Sequence, residues 1–231
     1  MKFIYASELK ELFSCYGHFY NWQLEKDEYP CRSVLEIVRK KDNVDKNSLW
    51  GKKADAVVIM MNPGSSRPIE SGFESEIRRY PYSDTCFKSM VLTQPDNTQY
   101  QIMRVGIKFG WRHIRVLNLS DLRDSKSVSF LNCIKILNKI PTGNNHSLFS
   151  EKRIEECAIS LRRKFDPIIV GWGQDAGLLP LVNQCVKRLD DIPLVGVISD
   201  LNPLLNLHPS PMLQSAKEKW LYQVVKNLEH L

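Results

Sequence analysis

The feature of this sequence that most constrains its fold is an uninterrupted apolar run at residues 56–61, Ala-Val-Val-Ile-Met-Met. Charged residues precede the run, and Asn62, Pro63 and Gly64 follow it directly. Continuous apolar character without polar alternation is typical of a strand that is buried on both faces, as at the centre of a parallel sheet. Proline and glycine end such a strand, so the pattern places Asn62 at its carboxyl end.

Three more segments have the same apolar character, and stretches with helical spacing separate them. We predict strands at residues 113–119, 167–172 and 192–198. The predicted helices run from 98 to 110, from Ser125 or Ser127 to 139, from 150 to about 165, from 173 to about 189 and from 213 to 231. Strands that alternate with helices of this length form right-handed crossovers. The expected fold is therefore α/β, a doubly wound, mainly parallel four-stranded sheet with helices on both faces.

The N-terminal part of the chain carries weaker signals. Short apolar patterns predict a helix at residues 8–13 and another at 31–40. An aromatic segment at 16–22 either caps the core or reaches a binding site. Because the chain has no internal repeat, low-complexity segment or linker, we predict one domain over all 231 residues, in which residues 1–50 form an N-terminal cap.

The composition is that of a soluble globular protein, with 43% hydrophobic and 25% charged residues. The formal net charge of +6 is compatible with an anionic partner such as nucleic acid, although a mildly basic surface accounts for it equally well. No apolar stretch reaches the roughly 20 residues of a transmembrane helix, and Glu8 interrupts any signal-peptide core, so we expect a cytoplasmic protein. The six cysteines contain no CxxC pair, so we expect no zinc or iron–sulfur site. We also expect no cofactor.

Ligands of doubly wound sheets bind beyond the carboxyl ends of the strands, and three polar side chains are predicted at that edge. Asn62 offers an amide that can hold water or a substrate edge, although Asn-Pro-Gly is also an ordinary turn. Asn118 ends an apolar strand, where it either reads a base edge or caps the following loop. His208 can donate to a developing negative charge, or it is a structural histidine.

Four segments, taken together, resemble the motifs of the uracil-DNA glycosylase superfamily. Met-Asn-Pro-Gly at 61–64 looks like its first motif, in the form carried by the single-strand-selective and mismatch-specific branches. Val-Leu-Asn at 116–118 resembles the strand with the base-reading asparagine, and Val-Gly-Trp-Gly at 170–173 resembles an apolar strand that ends in Trp-Gly. His-Pro-Ser-Pro at 208–211 matches the second signature. The four segments occur in the family's order, and the resemblance covers residues from about 54 to 213.

This resemblance implies a metal-independent DNA glycosylase, which flips a uracil or modified pyrimidine base out of DNA and hydrolyses its N-glycosidic bond. Asn62 would position the attacking water, His208 would donate to the base oxygen, and Asn118 would read the flipped base. The further candidates for base binding are two turn residues and one stacking aromatic: Met61, Gly64, and one of Phe73, Tyr80 or Tyr82.

Residues 64–84 are expected to form a long polar loop beside this site. The candidates for DNA contact are Ser65, Ser66, Arg78, Arg79, Arg123, Ser210 and Met212. Ser210 would grip a phosphate, the arginines would add phosphate contacts, and Met212 or Leu213 would wedge into the gap left by the base. The two serines also stand where the main uracil-specific branch has an aromatic that excludes thymine, so the pocket is expected to accept an enlarged or modified base.

Two other functions fit the same sequence. Because an amide replaces the carboxylate that other branches have at the water position, the chain could be a non-catalytic protein that binds nucleic acid or nucleotides. It could also hydrolyse a free nucleotide or nucleoside instead of polymeric DNA. The sequence leaves open which base is excised, whether single or double strands are preferred, and whether the setting is repair or defence against modified phage DNA. We expect a monomer.

Overall fold

The computed structural model describes residues 3–79 and 89–231. Its strands are β1 (Phe13–Leu24), β2 (Asp27–Arg39), β3 (Ala56–Met60), β4 (Glu76–Arg79), β5 (Val91–Leu92), β6 (His113–Asn118), β7 (Ile168–Val170), β8 (Leu194–Val195), β9 (Ile198–Ser199) and β10 (Asn202–Asn206). Its α-helices are α1 (Ala6–Leu12), α2 (Asn97–Lys108), α3 (Ser127–Leu137), α4 (Ile154–Ser160), α5 (Leu179–Leu189) and α6 (Gln214–Glu229). From β6 onward, helices connect the successive parallel strands β6, β7 and β8, so this is an α/β protein, as predicted.

Eight of these strands form one mixed sheet, in the order β4-β1-β2-β6-β3-β7-β8, with β5 paired to β1. The strands β6, β3, β7 and β8 are parallel neighbours. On the other side of β6, β1 and β2 form an antiparallel hairpin, and β2 pairs antiparallel with β6. The sheet is therefore larger than the four-stranded one that the sequence predicted. The short strands β9 and β10 form a separate ribbon.

The predicted helix at residues 31–40 is wrong, because this segment belongs to the strand β2. All residues from Cys31 to Val38 are buried, since both faces of the sheet are covered at this point. A strand with no exposed face shows no polar alternation, so its apolar residues imitate the spacing of a helix. The aromatic segment at 16–22 is the interior of β1, whereas the predicted helix at 8–13 is present as α1.

The sheet separates two hydrophobic cores, and helices close each of them. The helices α1, α2 and α6 cover one face, with Ile102 and Val224 among the buried residues. The helices α3, α4 and α5 cover the other face, with Ile134 and Val182 among the buried residues. All five residues of β3 lie buried between these layers, which accounts for its uninterrupted apolar run. No helix in the described part of the chain is long and apolar enough to cross a membrane.

Several element boundaries differ from the prediction for local reasons. The predicted strand at 192–198 is divided between β8 and β9 around Gly196, where a Cβ would lie 2.5 Å from the carbonyl oxygen of Val170. The helix predicted from 173 to about 189 begins at Leu179 as α5, because Pro180 is tolerated in the first turn of a helix but not in its interior. The helix predicted at 150–165 is shortened to α4. The loop predicted at 64–84 contains β4, which pairs with β1.

Candidate functional site

A cavity of about 390 Å³ lies at the carboxyl ends of β3, β6 and β7. All four segments singled out in the sequence contribute to its lining, through residues 61–64, Asn118, Trp172 and His208. Further polar lining residues come from elsewhere in the chain, namely Arg32, Ser65, Asp96, Thr98, Gln99, Asp124, Ser125, Ser127, Gln174 and Asp175. The cavity is within the size range of small-molecule sites, and its position is the one at which α/β sheets bind ligands.

Asn118 is the last residue of β6 and is fully buried. Neither its Oδ1 nor its Nδ2 has a hydrogen-bond partner in the described part of the chain. A buried amide without partners costs roughly 1–3 kcal/mol, so an unpaired one needs a physical reason. Because this side chain lines the cavity, a bound molecule can supply the missing bonds. The amide suits a planar ligand edge that carries a donor next to an acceptor.

Asn62 follows β3 and is held in one orientation by the loop after β6. Its Nδ2 donates to the carbonyl oxygen of Leu122 at 3.3 Å and to that of Asp124 at 2.7 Å. These two acceptors identify which end of the amide is the nitrogen, and they use both of its hydrogens. The Oδ1 atom receives no hydrogen bond from the described residues, so it is available to accept one from water or a ligand.

His208 follows β10 and lines the same cavity. Its Nδ1 accepts a hydrogen bond from the backbone N–H of Ser210 at 3.2 Å, which requires an unprotonated Nδ1. Burial lowers the pKa of His208 below its ordinary value of 6.5, and it outweighs the charge of Asp96 and the backbone of Ser210, which both raise that pKa. The imidazole is therefore neutral at pH 7 and carries its proton on Nε2. A neutral imidazole of this tautomer is a hydrogen-bond donor on the Nε2 side.

Three contacts fix the loop that carries His208. Gln101 of α2 donates from Nε2 to the carbonyl oxygen of Pro209 at 3.0 Å. Trp220 of α6 donates from Nε1 to the carbonyl oxygen of Leu207, also at 3.0 Å. The loop lies so close to Gly171 that a Cβ there would be 2.9 Å from Cδ of Pro209. The position of His208 thus depends on two helices and on the end of β7.

The walls of the cavity are largely apolar, formed by Met60, Met61, Ile102, Val116, Trp172 and Leu178. Trp172 is the aromatic side chain among the described lining residues, and its Nε1 donates to the carbonyl oxygen of Leu204 at 3.1 Å. Gly64 closes the turn after β3 with a φ of 60°, a conformation that favours glycine. A slot with apolar walls and a fixed indole ring fits a planar molecule.

Phe73, one of the three predicted candidates for the stacking aromatic, does not line this cavity. Phe73 packs edge-on against Phe19, with ring centroids 6.3 Å apart, so its loop folds onto β1. Tyr80 and Tyr82 lie outside the described residues. Of the two predicted serines, Ser65 lines the cavity, whereas Ser66 is buried outside it, and its hydroxyl has no hydrogen-bond partner among the described residues.

The three arginines predicted to contact phosphate also lie outside the cavity lining. Arg78 and Arg79 are in β4. The strands β1 and β2 lie between β4 and β6 in the sheet. Arg78 pairs with Glu76 of the same strand, and its guanidinium lies over the ring of Tyr20. The guanidinium of Arg123 lies 5.1 Å from the ring centroid of Phe19. Phosphate contacts from these residues stay predictions.

The segment after His208 is exposed where the sequence predicted a wedge. Met212 is 98% exposed and Leu213 is 69% exposed, between β10 and α6. Ser210 is half-buried, and its backbone N–H is already used by His208. The hydroxyl of Ser210 is therefore the donor of this residue that remains available to bind a phosphate.

The sequence interpretation missed Arg32, Asp96 and Asp124 as lining residues. Arg32 was assigned to a helix, which hid its place beside the end of β6. Asp96 is the N-cap of α2 and forms a capping box with Gln99, a pattern that is recognisable in the sequence as a helix start.

Comparison with known proteins gives no match that bears on this cavity. No protein-family model matches the chain, and neither a curated protein nor a solved structure matches it. What the site can do therefore follows from the groups that line it: a fixed amide, a neutral histidine, and a buried amide without partners in the described chain.

Proposed function

We propose that this chain is a DNA glycosylase of the uracil-DNA glycosylase superfamily, which takes a flipped uracil or modified pyrimidine into the cavity and hydrolyses its N-glycosidic bond. The observation that carries the proposal is the buried amide of Asn118, which has no partner among the described residues and lines a cavity that Asn62 and His208 also line. The Watson–Crick edge of a pyrimidine presents a donor next to an acceptor. This edge matches the two kinds of hydrogen bond that Asn118 lacks.

In the proposed reaction, the electron pair of the glycosidic bond leaves with the base. Negative charge collects on the ring nitrogen and on the neighbouring carbonyl oxygen. His208 donates a hydrogen bond from Nε2 to that oxygen, and the acceptor role of its Nδ1 supports a proton on Nε2. Positioned donors of this kind contribute about 3–4 kcal/mol to stabilising a transition state. Because the imidazole is neutral and held in place, it does not need to reorganise as the charge develops.

Water then adds to the sugar carbon from the side of Asn62. Its Nδ2 is occupied by the carbonyl oxygens of Leu122 and Asp124, so Oδ1 accepts a hydrogen bond from the water and orients it. An amide is too weak a base to take the proton of that water. The proton goes to the departing base anion, and the products are a neutral base and an abasic sugar.

Exposed apolar side chains beside the cavity favour polymeric DNA over a free nucleoside as the substrate. Met212 and Leu213 follow the His208 loop directly and are exposed to solvent. Apolar side chains inserted into a base stack fill the space that a flipped nucleotide leaves. A nucleoside hydrolase would gain nothing from such residues. The net charge of +6 adds non-specific attraction to the phosphate backbone.

A panel of labelled oligonucleotides tests the proposal. It contains uracil, hypoxanthine, 5-hydroxymethylcytosine and its glucosylated form, in single and double strands, and alkali converts abasic sites into breaks. We expect cleavage of at least one substrate. We also expect His208→Ala to slow single-turnover cleavage by roughly 100- to 1,000-fold while DNA binding changes little.

The matched control is His230→Ala, which removes an exposed histidine at the end of α6 and should leave cleavage unchanged. A parallel loss of cleavage and DNA binding in His208→Ala would refute the catalytic role of His208. Salt-sensitive DNA binding without cleavage of any substrate would instead indicate a non-catalytic DNA-binding protein.

A further inference from the structure

Arg32 is the charged residue of the described cavity lining that is most deeply buried, at 1% exposure. It belongs to β2, and its backbone N–H donates at 2.8 Å to the carbonyl oxygen of Asp121, in the loop after β6. Its Nε and Nη1 have no hydrogen-bond partner in the described part of the chain. Burial lowers its pKa to about 10, so the guanidinium keeps its charge at neutral pH. A buried cation with unpaired donors is costly, which points to a missing ligand.

The neighbouring charged groups do not replace such a ligand. Asp96 and Asp121 favour the charge of Arg32, whereas Arg123 opposes it. Asp96 uses its carboxylate to cap α2, and Asp121 pairs with Arg153 at 2.7 Å. Neither carboxylate hydrogen-bonds to Nε or Nη1 of Arg32, which have no partner in the described part of the chain.

The strand order places Arg32 beyond Asn118 as seen from Asn62. Strand β2 lies next to β6, and β6 lies next to β3. Neighbouring strands are about 4.8 Å apart, so β2 runs about 10 Å from β3, which Asn62 follows. If water attacks the sugar beside Asn62, Arg32 faces the part of the base that is farthest from the sugar.

We propose that Arg32 is a specificity-determining residue, which donates to an oxygen on this far part of the base. That oxygen is either the oxo group at ring position 4 or an oxygen of a substituent at position 5. The inference rests on the proposed function, since it assumes a flipped pyrimidine in the cavity. An arginine offers donors only, so a base with an amino group at position 4 and no oxygen nearby leaves its charge unpaired.

Asn118 cannot make this distinction by itself. No hydrogen bond from the described residues fixes which end of its amide is which. Turned one way, the amide matches uracil, and turned the other way it matches cytosine. A side chain that has donors alone removes this ambiguity, and Arg32 lines the same cavity.

Four bases separate the two possible sources of the oxygen. Uracil has it at position 4, 5-hydroxymethylcytosine has it on the substituent, 5-hydroxymethyluracil has both, and cytosine has neither. Each is placed in an oligonucleotide as a 2′-fluoro nucleotide that resists cleavage, and binding is measured for the wild type and for Arg32→Met. We expect the wild type to bind at least one oxygen-bearing base roughly 10- to 100-fold more tightly than cytosine, and Arg32→Met to lose that preference.

The matched control is Arg188→Met in α5. Arg188 is half-buried, and its Nε also has no hydrogen-bond partner in the described chain. Unlike Arg32, it lies outside the cavity lining. The base preference of Arg188→Met should equal that of the wild type. Arg32→Met is expected to unfold at or above the wild-type temperature, because it removes an unpaired buried charge. If it fails to fold, Arg32→Lys replaces it and should keep only part of the preference, since an ammonium lacks the planar fork of donors.

Binding without cleavage keeps this inference separate from the proposed function. Loss of preference in Arg32→Met, with no wild-type cleavage of the cleavable panel, would overturn the glycosylase function and retain the role of Arg32. An unchanged preference in Arg32→Met would overturn the inference even if the wild type cleaves uracil. A wild type that binds cytosine as tightly as the other three bases would overturn it as well.

Discussion

Replacing Asn118 by leucine should make the protein more stable and at the same time abolish base recognition. The amide is fully buried, and both of its polar atoms lack partners in the described chain. Removing an unpaired buried amide recovers roughly 1–3 kcal/mol. Leucine is close to asparagine in shape, and the neighbouring walls of Met60, Ile102 and Val116 are apolar. We therefore expect the free energy of unfolding to increase by about 1–3 kcal/mol.

Urea denaturation of the wild type and the variant measures this change directly. In a chain of this size, each kcal/mol also shifts the melting temperature by about 2–4 °C. The matched control is Asn227→Leu, since the Nδ2 of Asn227 donates to the carbonyl oxygen of Gly196 at 2.8 Å and its Oδ1 accepts from Nε2 of Gln223 at 2.8 Å. That variant should lose about 1–2 kcal/mol, because it breaks two formed hydrogen bonds. Asn118→Ala, tested on the base panel, should relax or abolish the choice of base.

The opposite stability result would refute the reasoning from unpaired atoms. If Asn118→Leu loses as much stability as Asn227→Leu, the amide of Asn118 has partners in the folded protein, such as ordered water. The inference from its burial to a missing ligand then fails. Unchanged base preference in Asn118→Ala would remove Asn118 from the reading of the base, whatever its effect on stability.

Two other substitutions test how the His208 loop is held in place and why the free energy of unfolding falls at acid pH. Gly171→Ala should displace the loop of His208, because the added Cβ would lie 2.9 Å from Cδ of Pro209. We expect single-turnover cleavage to fall roughly 100-fold. Unchanged cleavage would show that the loop tolerates the methyl group. Burial lowers the pKa of His146 to about 3 from its ordinary value of 6.5, so neutral His146 contributes stability that is complete above pH 6.5 and declines as the pH falls toward 3. His146→Phe should flatten that decline in urea titrations between about pH 7 and pH 4, and an equally steep decline would assign it to other groups.

The central strands could be predicted because burial on both faces leaves a direct trace in the sequence. In β3 all five residues are buried, and a short apolar run bounded by charges and Asn-Pro-Gly fits a central strand better than a helix. The same burial misled the prediction for β2. Its residues from Cys31 to Val38 are also buried on both faces, but polar residues interrupt this segment, so its apolar residues at 34, 35, 37 and 38 fit the spacing of a helix face. The hairpin of β1 and β2 was missed for that reason.

The meeting of Asn62 and Asn118 in one cavity was predictable, since both follow or end parallel strands at the same edge of the sheet. His208 joins them from the loop after β10, which belongs to the separate ribbon. The positions of Arg32 and Phe73 were not predictable. Arg32 reaches the cavity only through the pairing of β2 with β6, which depends on contacts between distant parts of the chain. Phe73 lies in a loop, and no sequence pattern shows that the loop folds onto β1.

The polar groups of the cavity differ in what the protein has already bound to them. Asn62 and His208 each use one side of the side chain to fix its orientation, which leaves one polar atom free in a known direction. Asn118 and Arg32 have buried polar atoms that nothing in the described chain satisfies. Groups that act on a transition state need fixed geometry, because misplacement costs rate. Groups that read a base gain from the freedom to turn, since one amide can then match more than one edge. These hydrogen bonds support the two proposed roles. Asn62 and His208, which are held in one orientation, would act on the reacting atoms. Asn118 and Arg32, whose polar atoms lack partners in the described chain, would select the base.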